Sequence, residues 1–208
     1  MHPNPVFHTA SDQENLAFAR ERGFGVLAVQ GDGAPLLSHV PFHLSDDGDL
    51  VELHLMRSNP IARLLETPKA CRLAISGPDS YVSPDWYGAK DQVPTWNYVA
   101  VHLTGDLERR PQEELRDLLD RESAAFESRL LPKEPWRATK MDGETLERMM
   151  RMIVPCRMRV TGVDGTWKLG QNKPAEARQQ AADHMDAYGI GSDSRILAAM
   201  MRGTDGQP

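Results

Sequence analysis

Apolar and polar positions change their period several times along the chain. Ser11-Asp12-Gln13-Glu14 has the form of a capping box. The residues after it, through Leu16 and Phe18, predict a short helix that Gly23 would close. Phe24 to Gln30 is an apolar run ending at the Gly31-Asp32-Gly33 turn. Pro35 to Leu44 alternates, with Val40, Phe42 and Leu44 on one face and His39, Pro41 and His43 on the other. Ser45-Asp46-Asp47-Gly48 is a second turn, and Leu50 to Met56 alternates again. Strand-like runs joined by short turns predict an antiparallel meander.

At Ser58-Asn59-Pro60 the period becomes helical, with Asn59 as N-cap and Pro60 in the first turn. Ile61, Leu64 and Leu65 share a face, and Pro68 ends the helix. Residues 69–76 form a strand in which Cys71, Leu73 and Ile75 alternate with Arg72, Ala74 and Ser76. Residues 77–95 show no clear period and contain Pro78, Pro84 and Pro94 with Tyr81, Trp86 and Tyr87; an ordered functional loop is expected there. Pro94-Thr95-Trp96-Asn97-Tyr98 then runs into a strand reaching about Asp106.

Leu115, Leu118, Leu119, Phe126 and Leu130 predict a helix over 112–130, and Leu146, Met149, Met150 and Ile153 predict a second. Met141, Met149, Met150, Met152 and Met158 are expected in the core or a subunit contact. Cys156 to Val163 reads as a strand, with Thr166 to Leu169 continuing or following it. Pro174 opens a final helix, Ala175 to Tyr188. The expected organisation is one domain over 1–190 with a helical insertion at about 111–153, a C-terminal helix from 174, and a disordered tail at 203–208. Six or seven strands with inserted helices suggest a small antiparallel barrel, because closure removes exposed edges.

Composition narrows the function classes. The chain has 208 residues, 40 % hydrophobic and 26 % charged, which is ordinary for a globular protein with a core. Its net charge of −6 argues against non-specific binding to a phosphate backbone. Cys71 and Cys156 have neither metal-ligand spacing nor a disulfide framework and are expected as reduced core residues. With no apolar run near the roughly 18 residues of a membrane span and no signal pattern, a cytoplasmic protein is expected.

Candidate chemistry concentrates at two strand-to-helix junctions. At Met56-Arg57-Ser58-Asn59-Pro60, free N–H groups, a guanidinium and a hydroxyl would suit a phosphate monoester. An ordinary capped helix beside an exposed arginine has the same pattern. Trp167-Lys168-Leu169-Gly170-Gln171-Asn172-Lys173-Pro174 repeats the logic, against the plain reading of solvated lysines. His39 and His43 lie on a strand, where roughly 3.3 Å per residue separates them by about 13 Å, so they cannot chelate one ion together. No metal site is expected, and no nucleophile elbow, Walker loop or dinucleotide fingerprint is present.

Together, His39-Val40-Pro41-Phe42, His54 to Pro60, Gly77 to Tyr87, Val93 to Val101 and Trp167 to Lys173 resemble the PaiB-type FMN-binding negative transcriptional regulators. The resemblance runs from about residue 1 to 190. It implies a mainly β, antiparallel split barrel of the FMN-binding type, a homodimer, and flavin near the subunit interface. It places His39, Val40 and Pro41 beneath the flavin ring and His54 and Leu55 beside the ribityl chain. Arg57, Ser58 and Asn59 would hold the phosphate. Thr95, Trp96, Asn97 and Tyr98 would line the ring or its edge, and Lys168, Gln171 and Asn172 would approach from the last junction, from either subunit. The first functional expectation is a flavin-binding regulator sensing redox state or a small ligand, with direct DNA contact left open. A flavin oxidoreductase using reduced nicotinamide is the alternative. A heme-handling barrel using His39, His54 or His102 ranks last. No catalytic residue is assigned.

Overall fold

A computed structural model describes residues 1–203. The tail expected to be disordered falls, apart from Gly203, outside the described residues. Seven strands form one sheet in the order β2-β1-β5-β6-β7-β4-β3. They are β1 (Phe24–Val29), β2 (Leu36–Pro41), β3 (His43–Leu44), β4 (Leu50–Met56), β5 (Lys69–Val82), β6 (Thr95–Arg109) and β7 (Ile153–Lys168). Among the described residues, six α-helices accompany them: α1 (Asp12–Arg22), α2 (Pro60–Leu64), α3 (Leu115–Glu127), α4 (Gly143–Met150), α5 (Ala175–Tyr188) and α6 (Ser194–Arg202). None is long and apolar enough to cross a membrane.

The chain forms two compact units, one of Met1–Asn15, Ser76–Val101 and Asp164–Pro208, the other of Leu16–Ile75 and His102–Val163. The second unit holds the meander. β1 pairs antiparallel with β2 from Phe24↔Pro41 to Val29↔Leu36, and β4 pairs with β7 from Leu50↔Arg159 to Met56↔Ile153. Leu27, Leu53, Leu73, Leu103, Leu107 and Met158 are fully buried in this unit. The run expected as one strand over Pro35 to Leu44 is broken at Phe42, whose N–H donates to the Gly23 carbonyl at 2.9 Å. The alternation survives the break: Val40, Phe42 and Leu44 are buried. One residue therefore links β2 and β3, the two ends of the sheet.

Local signals explain the elements. The Ser11 hydroxyl accepts from the Glu14 N–H at 3.2 Å while Glu14 Oε2 accepts from the Ser11 N–H at 2.7 Å, a complete capping box. Asn59 caps α2 by accepting from the Ile61 N–H at 2.9 Å. Gly105 on β6 has a backbone role: a Cβ there would sit 2.0 Å from the Arg159 carbonyl oxygen. Only glycine allows that approach of β6 to β7.

The other unit corrects two expectations. The stretch after 76 does not leave the sheet. β5 continues to Val82, with Ser80 and Val82 buried, followed by a 3-10 turn at Pro84–Tyr87. The reason lies far along the chain: the Asp79 and Tyr81 N–H groups donate to the carbonyls of Ser192 and Ile190, both at 2.9 Å. The Asp79 carboxylate also accepts from the Ser192 N–H at 3.0 Å. Nor is α5 the final helix. α6 follows and buries Leu197, Ala198 and Met201, while α5 buries Ala181, Ala182 and Met185.

The methionines divide. Met158 is core, but Met149 and Met152 are 47 % and 49 % exposed, so helical periodicity around α4 did not translate into burial.

Candidate functional site

The residues assigned to flavin fall into two groups, one in each unit. In the unit carrying the meander, β2 places His39 outward, beside the Phe24 ring with centroids 6.4 Å apart, while Val40 faces the core at 3 % exposure. Pro41 ends the strand half-buried. On β4 the same alternation buries Leu55 and half-exposes His54. Val40 and Leu55 thus support the strands, and their side chains are not open to a ligand.

His54 Nδ1 lies 3.1 Å from Glu122 Oε2 on α3. Glu122 is 6 % exposed, and its Oε1 has no partner. Two residues before His54 on β4, Glu52 accepts both Nε and Nη2 of Arg121 at 2.9 Å and Nη2 of Arg157 at 3.1 Å. Burial pushes the Glu52 carboxyl up, but the two guanidiniums together outweigh it and hold it below the ordinary glutamate range. This lattice of charge between β4, β7 and α3 was not foreseen, because the partners of Glu52 lie far away in sequence.

The junction after β4 is more committed than its sequence suggested. The Arg57 Nε donates to the Arg151 carbonyl at 3.0 Å, and Nη2 donates to Gln112 Oε1 at 2.8 Å and to the Ile153 carbonyl at 3.3 Å. Arg57 straps the end of α4 and the start of β7. Asn59, besides capping α2, donates from Nδ2 to the Ser38 hydroxyl at 3.1 Å. The Ser58 side chain is exposed. Gln112 and Ser38 are site neighbours that sequence reasoning missed; neither belongs to a local motif.

In the other unit, the alternation of β6 divides the expected wall. Asn97 and Val99 are buried, whereas Trp96 is 47 % exposed. Successive side chains on a strand point to opposite faces, so Trp96 and Asn97 cannot meet one side of a flat ring together. Trp96 and Tyr98 line a groove of about 310 Å³ with Ser76, Gly77 and Asp79 of β5. The Trp96 ring meets Tyr81 edge-on at 6.4 Å, Tyr81 meets Trp86 at 6.4 Å, and Trp86 stacks on His184 at 6.0 Å. Tyr81 and Trp86 of the expected loop therefore form a continuous row with Trp96 and His184.

On the buried face of β6, Asn97 donates from Nδ2 to Met201 Sδ at 3.4 Å, while its Oδ1 has no partner. Thr95 Oγ1 accepts from the Lys168 ammonium, which also lies 5.8 Å from the Phe7 ring centroid. Burial, then the charge of Lys173, lowers the Lys168 pKa. Gln171 is consumed locally: its Nε2 donates to the Trp167 carbonyl and its Oε1 accepts from the Leu169 N–H at 2.8 Å. Asn172 is exposed. Trp167 donates from Nε1 to Asn15 Oδ1 at 2.8 Å, and a cavity of about 600 Å³ opens beside it, also lined by Glu14, Gln171 and Arg178. So Thr95 and Lys168 come together, Gln171 closes its own turn, and Trp96 joins Tyr98 on the opposite face. Among the described residues, no group of three or more His, Cys, Asp or Glu side chains is placed to hold a metal ion.

A flavin needs an aromatic surface for its ring and polar groups at its edges. The Trp96–Tyr98 groove supplies the first, and Ser76 and Asp79 supply polar atoms at its rim. The donor chemistry around Ser58 suits a phosphate oxygen.

Comparison with known proteins fits this picture. A Bacillus subtilis protein, "Protease synthase and sporulation protein PAI 2", is 29 % identical over 169 residues, covering 80 % of each chain. Two solved structures share the fold. The FAD and heme binding protein from Mycobacterium smegmatis aligns over 88 % of this chain and 81 % of its own, with a TM-score of 0.58 and 14 % identity. A conserved hypothetical protein from Mycobacterium tuberculosis aligns over 81 % and 91 %, with a TM-score of 0.55 and 17 % identity. These likenesses carry the fold, an antiparallel split barrel. The family model described as "Putative FMN-binding domain" matches residues 1–162, and the chain belongs to that family.

Proposed function

We propose that this chain is a cytoplasmic FMN-binding regulatory protein of the PaiB kind, acting as a homodimer and sensing redox state or a small ligand. The Trp96–Tyr98 groove carries this reading: two aromatic side chains at i and i+2 form an apolar face beside polar atoms of β5. Family membership and the Bacillus relative support it. Bound FMN would supply reversible hydride or electron chemistry. The chain's residues bind and orient it. Trp96 and Tyr98 would pack the ring; in the other unit, the exposed Ser58 hydroxyl is a separate candidate donor to a phosphate oxygen. Arg57 would orient the Ser58 backbone through its bonds to Arg151 and Ile153. The Lys168–Thr95 pair lies on the opposite face of β6 from Trp96 and Tyr98 and is not assigned to the same ring.

The test is an absorbance spectrum of the purified protein, with mass identification of what denaturation releases. FMN in the wild type, and loss of at least about tenfold in FMN affinity for Trp96→Ala, are expected. A wild type that neither carries nor binds FMN in a titration sinks the proposal. Release of FAD would correct the cofactor, the similar Mycobacterium smegmatis protein being described as FAD and heme binding. Rapid consumption of reduced nicotinamide would move the reading from regulator to oxidoreductase.

A further inference from the structure

The segment between α3 and α4 is long for a connection, yet it is fixed. The Glu127 carboxylate, at the end of α3, accepts from the Trp136 N–H at 2.7 Å and also binds the Lys133 ammonium. Those two bonds hold the Glu127 carboxyl below the ordinary glutamate range. Ala138 is 8 % exposed, and a 3-10 turn at Ala138–Lys140 leads to Asp142, which caps α4 by accepting from the Thr145 N–H at 2.9 Å. A loop tied at both ends and in the middle presents its remaining side chains in a defined arrangement.

Between this loop and α3 lies a cavity of about 400 Å³. That is within the range of small-molecule sites, about 300–1,000 Å³. Trp136, Arg137 and Thr139 line it from the loop, and Arg116, Asp120 and Ser123 from α3. Trp136 is 37 % exposed, so its indole is available as a wall. The Arg116 guanidinium is matched by Asp120 at 2.9 Å. Among the described residues, Arg137, the Trp136 indole N–H and the hydroxyls of Ser123 and Thr139 show no hydrogen-bond partner in the protein. The wall thus offers one unmatched positive charge, several donors and a flat aromatic surface. In a chain of net charge −6, such a concavity selects an acceptor-rich anion. An aromatic wall beside a guanidinium selects a planar one.

We propose that this cavity binds a small planar carboxylate, at a site separate from the flavin residues. A carboxylate would take the Arg137 guanidinium and the Thr139 hydroxyl, with its ring on the Trp136 indole. No residue assigned to flavin lines the cavity, so the site stands whether or not FMN is bound.

The experiment is a calorimetric titration of the full chain with benzoate, using benzamide as the neutral isostere. Benzoate should saturate, and benzamide should bind at least about tenfold more weakly. Arg137→Ala should lower benzoate affinity by about tenfold, and Trp136→Ala should remove the saturable signal. Both side chains are exposed, and the Trp136–Glu127 bond uses the backbone, so both variants keep the loop. Trp96→Ala should titrate with benzoate as the wild type does. Absence of saturation by benzoate, equal affinity for benzamide, or unchanged affinity in Arg137→Ala overturns the proposal. Loss of benzoate binding in Trp96→Ala assigns the probe to the flavin groove and overturns it as well. FMN titration of Arg137→Ala should match the wild type, which separates failure here from failure of the flavin reading.

Discussion

At the scale of the residue, Asn59 and Arg57 sit side by side and serve different parts of the fold. Asn59 holds the first turn of α2 with its carbonyl and reaches Ser38 on β2 with its amide. Asn59→Ala should lower unfolding free energy by about 1–2 kcal/mol, read from urea denaturation. Arg57→Ala separates two roles for its charge. Loss of its carbonyl bonds should lower stability by about 1–3 kcal/mol. If its chief role is this strap, FMN affinity in the refolded variant should fall less than in Trp96→Ala; a fall larger than that would make Arg57 the main phosphate contact. The Asn59 cap and Pro60 were readable because a cap is a local bargain between a side chain and an N–H two residues on. The destination of Arg57 was not readable, since its acceptors lie at Gln112, Arg151 and Ile153 and no local rule points a flexible guanidinium across such distances. At Trp96 the information was present in the period of two itself, which already separates Trp96 from Thr95 and Asn97.

At the scale of the element, strands and helices with strong local signals matched their predicted bounds: β4 at Leu50–Met56 and α5 at Ala175–Tyr188. The extension of β5 did not, because its last N–H groups are satisfied by Ile190 and Ser192, more than a hundred residues onward. Gly191 stands at that junction with φ +149°, and a Cβ there would approach the Asp79 carbonyl oxygen to 2.3 Å. Gly191→Ala should therefore detach the 190–192 segment and speed hydrogen exchange at Asp79 and Tyr81. Unchanged protection of those two amides would contradict this account of the strand. The charge lattice between β4 and α3 gives a pH prediction. The folded-state pKa of Glu52 is depressed, so its contribution is present above the ordinary glutamate pKa and is lost as pH falls through the lower, folded value. Denaturation midpoints measured from neutral pH downward should fall below the ordinary glutamate range, and Glu52→Gln should flatten that part of the profile.

At the scale of the whole molecule, the balance of charge bears on how the proposed regulatory role would be exercised. With a net charge of −6, non-specific retention of duplex DNA at physiological salt should be absent in a mobility-shift assay. Strong retention there would require a basic surface formed on assembly. The two ends of the sheet bear on assembly too. β3 is two residues long, and β2 ends at Pro41, which has no N–H, with α2 packed beside it and tied to it through Asn59 and Ser38. Short, proline-ended and helix-covered edges resist the addition of another strand. A second copy of this chain thus finds little free ladder to extend at either end of the sheet. In the proposed homodimer, recognition between copies would then come from side-chain surfaces, where single substitutions can tune affinity, and strand-mimicking peptides would leave such an assembly intact.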